Sequence, residues 1–137
     1  MIRPEVIRKR LNRLDEYLEI LLHLQHYSYE EFISNPERYG SAERFLHLAI
    51  EAITDIGNHV IADEALGTVD RYSDIPRILA ERGYIDEALE NRWIRMIGFR
   101  NILVHAYLDI DHRIVHETLH KGLEDLQALK RAFARLL

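Results

Sequence analysis

The chain has 137 residues, 47% hydrophobic and 30% charged, with a net charge of −5 at neutral pH. The absence of cysteine excludes a disulfide framework, a thiolate metal site, a cysteine nucleophile and an iron–sulfur cluster. Six glycines and three prolines are too few for a turn-rich all-β chain, and an acidic balance excludes a generic electrostatic nucleic-acid binder, so any such contact has to be local. The length fits a single domain over 1–137, able to bury roughly two-thirds of its unfolded surface without a metal or disulfide staple. No apolar run reaches membrane-span length and the charged start MIRPEVIRKRL has no signal core, which predicts a cytoplasmic chain with no membrane partner.

Helical spacing dominates from the start. Pro4 suits a first helical turn, and Val6, Ile7, Leu11, Leu14, Leu18, Leu21 and Leu22 recur at helical intervals to about Gln25. Tyr27-Ser28-Tyr29 and Asn35-Pro36 bracket a short helical link over 30–34. Ser41 is placed to cap the next helix, whose stripe is Phe45, Leu48, Ala49, Ala52, Ile56 and Val60, fading near Asp63. Residues 68–73 read as loop, Asp74-Ile75-Pro76 as cap and helix start, and Gly83 as a left-handed stop. Asp86 caps a helix running to about Tyr107. Asp109-Ile110-Asp111 interrupts, and a last helix begins near His112, with Ile114, Leu119, Leu123, Leu126, Leu129 and Phe133 along it. The fold class is therefore all-α: an up-and-down bundle of four to five helices.

The helix after Asp86 is the informative one. One seam reads Leu89, Trp93, Met96, Arg100, Leu103, Tyr107, and a second reads Ile94, Ile97, Asn101, Val104, Leu108. Two apolar stripes need cover on two sides, which points either to a central helix of the bundle or to a homodimer through this helix. Arg100 interrupts the first seam, Asn101 the second, and His105 follows one turn later. A lone arginine in such a seam ordinarily snorkels or meets a carboxylate. Asn101 and His105 share a face, as do Arg100 and Tyr107, but Arg100 and His105 stand about 140° apart on a regular helix. They meet only if the helix changes there or if two copies combine. Between Asn91 and Leu108 there are three arginines and no acid, a local positive segment in an acidic chain.

The octet Arg100-Asn101-Ile102-Leu103-Val104-His105-Ala106-Tyr107 resembles the R-N-x-x-x-H-x-Y signature of HEPN-domain toxins, and within them the HepT branch paired with a minimal nucleotidyltransferase (MNT) antitoxin. The run from Ala49 to His59 is similar to that branch's "iEa..Di.nh" segment, and Tyr72-Ser73-Asp74 before a short helix keeps the family order. The resemblance covers most of the chain. It implies a HEPN-like bundle dimerising through the motif helix and a metal-independent ribonuclease without cofactor, cleaving cellular RNA such as tRNA or mRNA. Carried over, Arg100 and His105 are the catalytic pair, Asn101 a supporting polar residue, and Tyr107 the tyrosine that the antitoxin modifies with AMP.

The residue chemistry agrees with that implication. Cleavage through the 2′-OH needs an acid, a base and charge stabilisation at the phosphate. His105 can serve as acid or base near neutral pH, and Arg100 offers fixed bidentate donors to phosphate oxygens. Asn101 can hold the phosphate or orient His105, and Tyr107 can stack on a base. Two other readings compete: a non-catalytic HEPN dimer that binds nucleotide or a partner nucleotidyltransferase, and a structural interaction protein in which Arg100 and His105 point apart with Arg100 in an ordinary salt bridge.

Remaining polar residues have plainer explanations beside functional ones. Glu51, Asp55 and Asn58 share one helix face, either solvated or reaching the motif helix. His47 and His59 read as surface or satisfied residues, and His23 and His26 lack a third metal ligand. The ladder His112, His116, His120 can take a transition metal adventitiously, without a carboxylate-rich nuclease pattern beside it.

Overall fold

A computed structural model describes the backbone of residues 1–137 and every side chain except that of Tyr107. Six helices follow one another: α1 (Pro4–Leu24), α2 (Tyr29–Ile33), α3 (Pro36–Asp63), α4 (Asp74–Glu81), α5 (Glu87–His105) and α6 (His112–Ala134). A 3-10 turn, Tyr107–Asp109, lies between the last two. Five of these match the expected bundle helices, and α2 is the expected link.

Local chemistry sets most of the boundaries. Ser28 and Glu31 form a reciprocal capping box at the start of α2. Asp86 accepts the Leu89 N–H at 2.7 Å, and Asp111 accepts the Arg113 N–H at 2.9 Å. Gly83 takes φ +82°, the left-handed stop after α4 that a side chain would disfavour.

Three boundaries differ from the sequence reading. α3 begins at Pro36 rather than after Ser41, because Asn35 accepts the Glu37 N–H at 2.9 Å and Pro36 has no N–H to satisfy. Asp74 is the first residue of α4 rather than its cap. Its carboxylate instead gathers the Asp70 and Arg71 N–H groups, which pulls it below the usual carboxylate range. α5 stops at His105, short of Tyr107. Ala106 leaves helical geometry at φ −126°, ψ 33°, and the Asp109 N–H closes back on the Ala106 carbonyl to start the turn into α6.

α3 is the central helix. It buries Ala42, Leu46, Ala49, Ile50, Ile53, Ile56, Gly57, Val60 and Ile61, more than the one stripe expected, because neighbours cover it on several sides. Phe45, Leu48 and Ala52 of the expected stripe are only half-buried. α1 packs on α3 through Ile7, Leu11, Leu14, Leu18, Leu21 and Leu24, each fully buried leucine contributing roughly 1.5–3 kcal/mol. Leu22 and Ile114, expected inward, face out.

Polar ties between helices give their directions. Arg3 meets Asp63 and Arg10 meets Asp55, so α1 runs antiparallel to α3. Gln25 donates to the Leu119 carbonyl and Lys130 pairs with Asp15, so α6 runs antiparallel to α1. α5 is pinned to α3 by Trp93, whose indole N–H donates to Thr54 Oγ1 at 3.1 Å, both groups buried. Gly57 makes room for that ring and for Ile75 of α4. The Trp93 edge also packs against the Phe133 ring of α6.

Candidate active-site cleft

Two turns beyond Trp93, α5 passes the α3 face that carries Glu51. Arg100, whose side chain is 16% exposed, reaches Glu51 with Nη2 3.6 Å from Oε2. The same Glu51 oxygen lies 2.7 Å from Nε2 of His47, one turn back on α3. Arg100 also donates to Asn101 Oδ1 at 3.2 Å, and its guanidinium carbon lies 5.4 Å from the Tyr72 ring centre. Glu51 is nearly half exposed, so the pair adds at most a fraction of a kcal/mol to stability, on the order of 0–1 kcal/mol. Its main effect is on where the guanidinium sits.

Arg100, Glu51 and Tyr72 border a cleft of about 760 Å³ between α1 and α5, floored by α3. Glu51, Asp55 and Asn58 all line it, but of the three only Glu51 has a partner on the motif helix, Arg100. Opposite them stand Lys9, Arg10, Arg13 and Tyr17 of α1. Arg10 holds Asp55, leaving Glu51 to Arg100 and His47. The cleft therefore offers fixed cations for an anion, aromatic faces and a carboxylate beside the arginine.

The sequence-predicted residues divide between two places. Arg100 is at the cleft. His105, the last residue of α5, is exposed and does not line it. Asn101 is exposed and turned to Arg100. The Tyr107 side chain lies outside the described residues. Because α5 stays helical through His105, one chain does not bring Arg100 and His105 together, as the 140° argument requires. Of the first seam, Leu89, Trp93, Met96 and Leu103 are buried. Of the second, only Ile97 is. Leu108 is 84% exposed and Ile102 53%, with Ile114 open at the start of α6.

Three contributors escape the sequence reading. His47 reads there as an isolated histidine, although its i, i+4 spacing to Glu51 is visible. Tyr72 falls in a loop with no partner. The α1 basic residues are not singled out there. The histidine ladder, by contrast, is tied to the neighbouring backbone, with His112 and His116 half-buried and His120 exposed. Its ring nitrogens face backbone carbonyls, His116 Nε2 that of Tyr27 at 3.3 Å and His120 Nδ1 and Nε2 those of His116 and Gln25 at 2.8 and 3.1 Å. Among the described residues no group of three or more metal-ligating side chains is assembled. His112 Nδ1 stands 3.6 Å from Glu43, whose carboxyl is pushed above the usual range by burial and drawn back by the histidine.

Comparison with known proteins places the chain. The family model described as "Ribonuclease HepT-like" matches residues 7–133. The chain belongs to the HepT-like ribonuclease family. A protein named "mRNA nuclease HepT" from Shewanella oneidensis is 33% identical over 82 residues, covering 60% of this chain and 62% of that protein. One named "tRNA nuclease HepT" from Aphanizomenon flos-aquae is 30% identical over 125 residues, covering 90% of this chain and 84% of that protein. The fold matches a solved structure described as a tri-AMPylated Shewanella oneidensis HEPN toxin in complex with MNT antitoxin. The TM-score is 0.87 at 23% identity, over 95% of this chain and 97% of that one. The HEPN-like all-α class expected from the sequence is thus the class observed.

Proposed function

We propose that this chain is the toxin of a toxin–antitoxin pair, a metal-independent endoribonuclease that cleaves tRNA or mRNA and works as a homodimer. The observation that carries this is the intact Arg100–Tyr107 octet in a HepT-like chain, with Arg100 held at a solvent-open cleft. Arg100 binds the scissile phosphate and stabilises the charge that grows on its oxygens. His105 of one copy takes the proton of the 2′-OH as that oxygen attacks phosphorus. His105 of the other gives a proton to the departing 5′-oxygen, leaving a cyclic phosphate. Dimerisation supplies both histidines, and the apolar groups left open beside the motif, Ile102, Leu108 and Ile114, support a second copy packing there.

A nucleotidyltransferase antitoxin is the partner this reading requires. AMP on Tyr107 would place bulk and negative charge in the motif and compete with RNA for Arg100. The separation of Arg100 from His105 within one chain, and the Arg100–Glu51 pair, are also what a structural interaction protein would show. Family membership and the octet favour the nuclease.

The test is cleavage of a total tRNA pool in EDTA by the wild type, Arg100→Ala, His105→Ala and an equimolar mixture of the two variants. Activity in the wild type alone, absent from both variants and from their mixture, is the expected pattern, because a mixed dimer holds a single His105 and the cleavage uses two. Equal cleavage by all of them would place the activity elsewhere. Tyr107→Phe that is still fully neutralised by the antitoxin would remove modification of this residue as the means of control.

A further inference from the structure

The charge of this acidic chain is unevenly laid out. Its first fourteen residues carry Arg3, Arg8, Lys9, Arg10 and Arg13 against one acid, Glu5. Residues 91–108 carry three arginines against none. These segments are far apart in sequence, yet they fold onto opposite walls of the cleft, Lys9, Arg10 and Arg13 on one and Arg100 on the other. Four cations thus line it against two acids, Glu51 and Asp55. Both acids are already engaged, Asp55 by Arg10 and Glu51 by His47 and Arg100. The positive excess of two resides on Lys9 and Arg13. Lys9 has no ion-pair partner among the described residues, and Arg13 has only a 3.8 Å approach to Glu16 on its own helix, with both side chains well exposed. Such a contact holds a cation loosely.

We infer that the α1 wall is an anchoring subsite for the RNA strand next to the scissile bond. Lys9 and Arg13 take the backbone phosphates adjoining the one held by Arg100, and Tyr72 offers its half-exposed face to a base. The spacing suits this: Lys9 and Arg13 are four residues apart, a rise of about 6 Å, the order of one phosphate-to-phosphate step in an extended strand. The cleft has the volume of a nucleotide pocket and is too small for a duplex. Aromatic faces interleaved with unpaired cations are how proteins hold single strands without reading sequence. The inference rests on the ribonuclease reading and adds to it a substrate class, single-stranded RNA extending beyond the cleaved linkage.

The test compares two charge-matched double variants in the full chain. Lys9→Gln with Arg13→Gln removes the proposed anchors, and Lys121→Gln with Arg131→Gln removes two exposed cations of α6. With His105→Ala added to keep the RNA whole, binding of a fluorescein-labelled single-stranded decamer is titrated from about 50 to 200 mM salt. The anchor variant should bind at least tenfold more weakly. Its slope of log K against log salt should shrink by about 1.4, two phosphates at about 0.7 each for a single strand. The α6 variant should change little.

With His105 intact, the anchor variant should raise KM for the decamer at unchanged kcat and leave cleavage of a dinucleotide unaltered, because a dinucleotide does not reach the subsite. Equal slopes in the two double variants overturn the inference even while the dinucleotide is still cleaved. So does unchanged RNA binding accompanied by weaker binding of the partner nucleotidyltransferase, which would make the wall a protein-docking surface. A wild type that cleaves neither decamer nor dinucleotide refutes the ribonuclease reading itself, and the subsite falls with it.

Discussion

Replacing Gly57 by alanine should destabilise this protein, although alanine is the better helix former. A Cβ at position 57 would lie 2.7 Å from Ile75 Cγ2, 2.8 Å from Trp93 Cη2 and 3.2 Å from Leu79 Cδ1. Carbon atoms rest about 3.5–4.0 Å apart, so the new methyl overlaps two fully buried side chains by nearly 1 Å each. Overpacking of this kind costs about 1–3 kcal/mol. Two clashes against side chains with no free space put Gly57 towards the upper end. The gain in helix propensity returns about 1 kcal/mol. The net is a loss of about 1–2 kcal/mol, a drop in Tm of roughly 3–10 °C for a chain of this length. Gly40 provides the control. It is also within α3, but a methyl group there would meet nothing within 4 Å, so Gly40→Ala should gain about 0.5–1 kcal/mol. Thermal and urea unfolding followed by far-UV circular dichroism measures both. A Gly57→Ala protein that melts at or above the wild type would refute the close approach of α4 and α5 to α3, and with it the geometry that carries Arg100 to Glu51.

Trp93→Phe leaves Thr54 Oγ1 buried without its donor and opens a cavity where the second ring of the indole packs, and should cost about 3 kcal/mol or more by urea unfolding. Thr54→Val in the same background should recover part of that loss. Glu43 is held above the ordinary carboxylate range by burial, so its contribution to stability is full below the unfolded value and is lost as pH rises through the folded one. Glu43→Gln should therefore be more stable than the wild type near pH ~7, with an advantage that vanishes towards pH ~4, as read from melting at both. Asp74 has the opposite sign. Its carboxyl is lowered by two backbone N–H groups, so the stability it gives is present above the unfolded value and lost as pH falls through the folded one. Asp74→Ala should release the 70–73 turn at neutral pH, seen as faster tryptic cleavage after Arg71. Glu51→Gln removes the charge that holds Arg100 and should lower kcat about tenfold with little change in melting, because a full 1 Å misplacement of a positioned group can cost about a hundredfold and the guanidinium keeps its other contacts.

Much of the fold is legible in the sequence because its signals are local. The leucine seam of α1, the Asp86 and Asp111 caps and the Gly83 stop each follow from a few neighbouring residues. The differences arise where two local signals compete. Asn35-Pro36 and Ser41 both mark a helix start, and only the N–H bond accepted by Asn35 decides between them. The end of α5 depends on the turn into α6 and not on its own residues, since Ala106 and Tyr107 carry no stop signal. Arg100 is legible as a charged residue in an apolar seam. The α1 wall is not, because only the packing of α1 on α3 determines which part of a solvated helix face overhangs a cleft.

α5 divides burial from chemistry along its length. Leu89, Trp93 and Met96 belong to the core, and the polar motif begins at Arg100. Trp93 fixes the rotation of the helix by bonding to Thr54, and Arg100 lies two turns further along the same rigid element, over Glu51. The position of Arg100 is therefore inherited from the core and needs no loop. His105 differs. It is the last helical residue, exposed, and followed by a 3-10 turn, so the core sets its height along α5, and no side chain among those described bonds to its ring. In the proposed site its partner is a second copy. Loosening the Trp93 anchor should then disturb phosphate binding and leave proton transfer largely intact. Disturbing the exposed apolar groups around Leu108 should do the reverse.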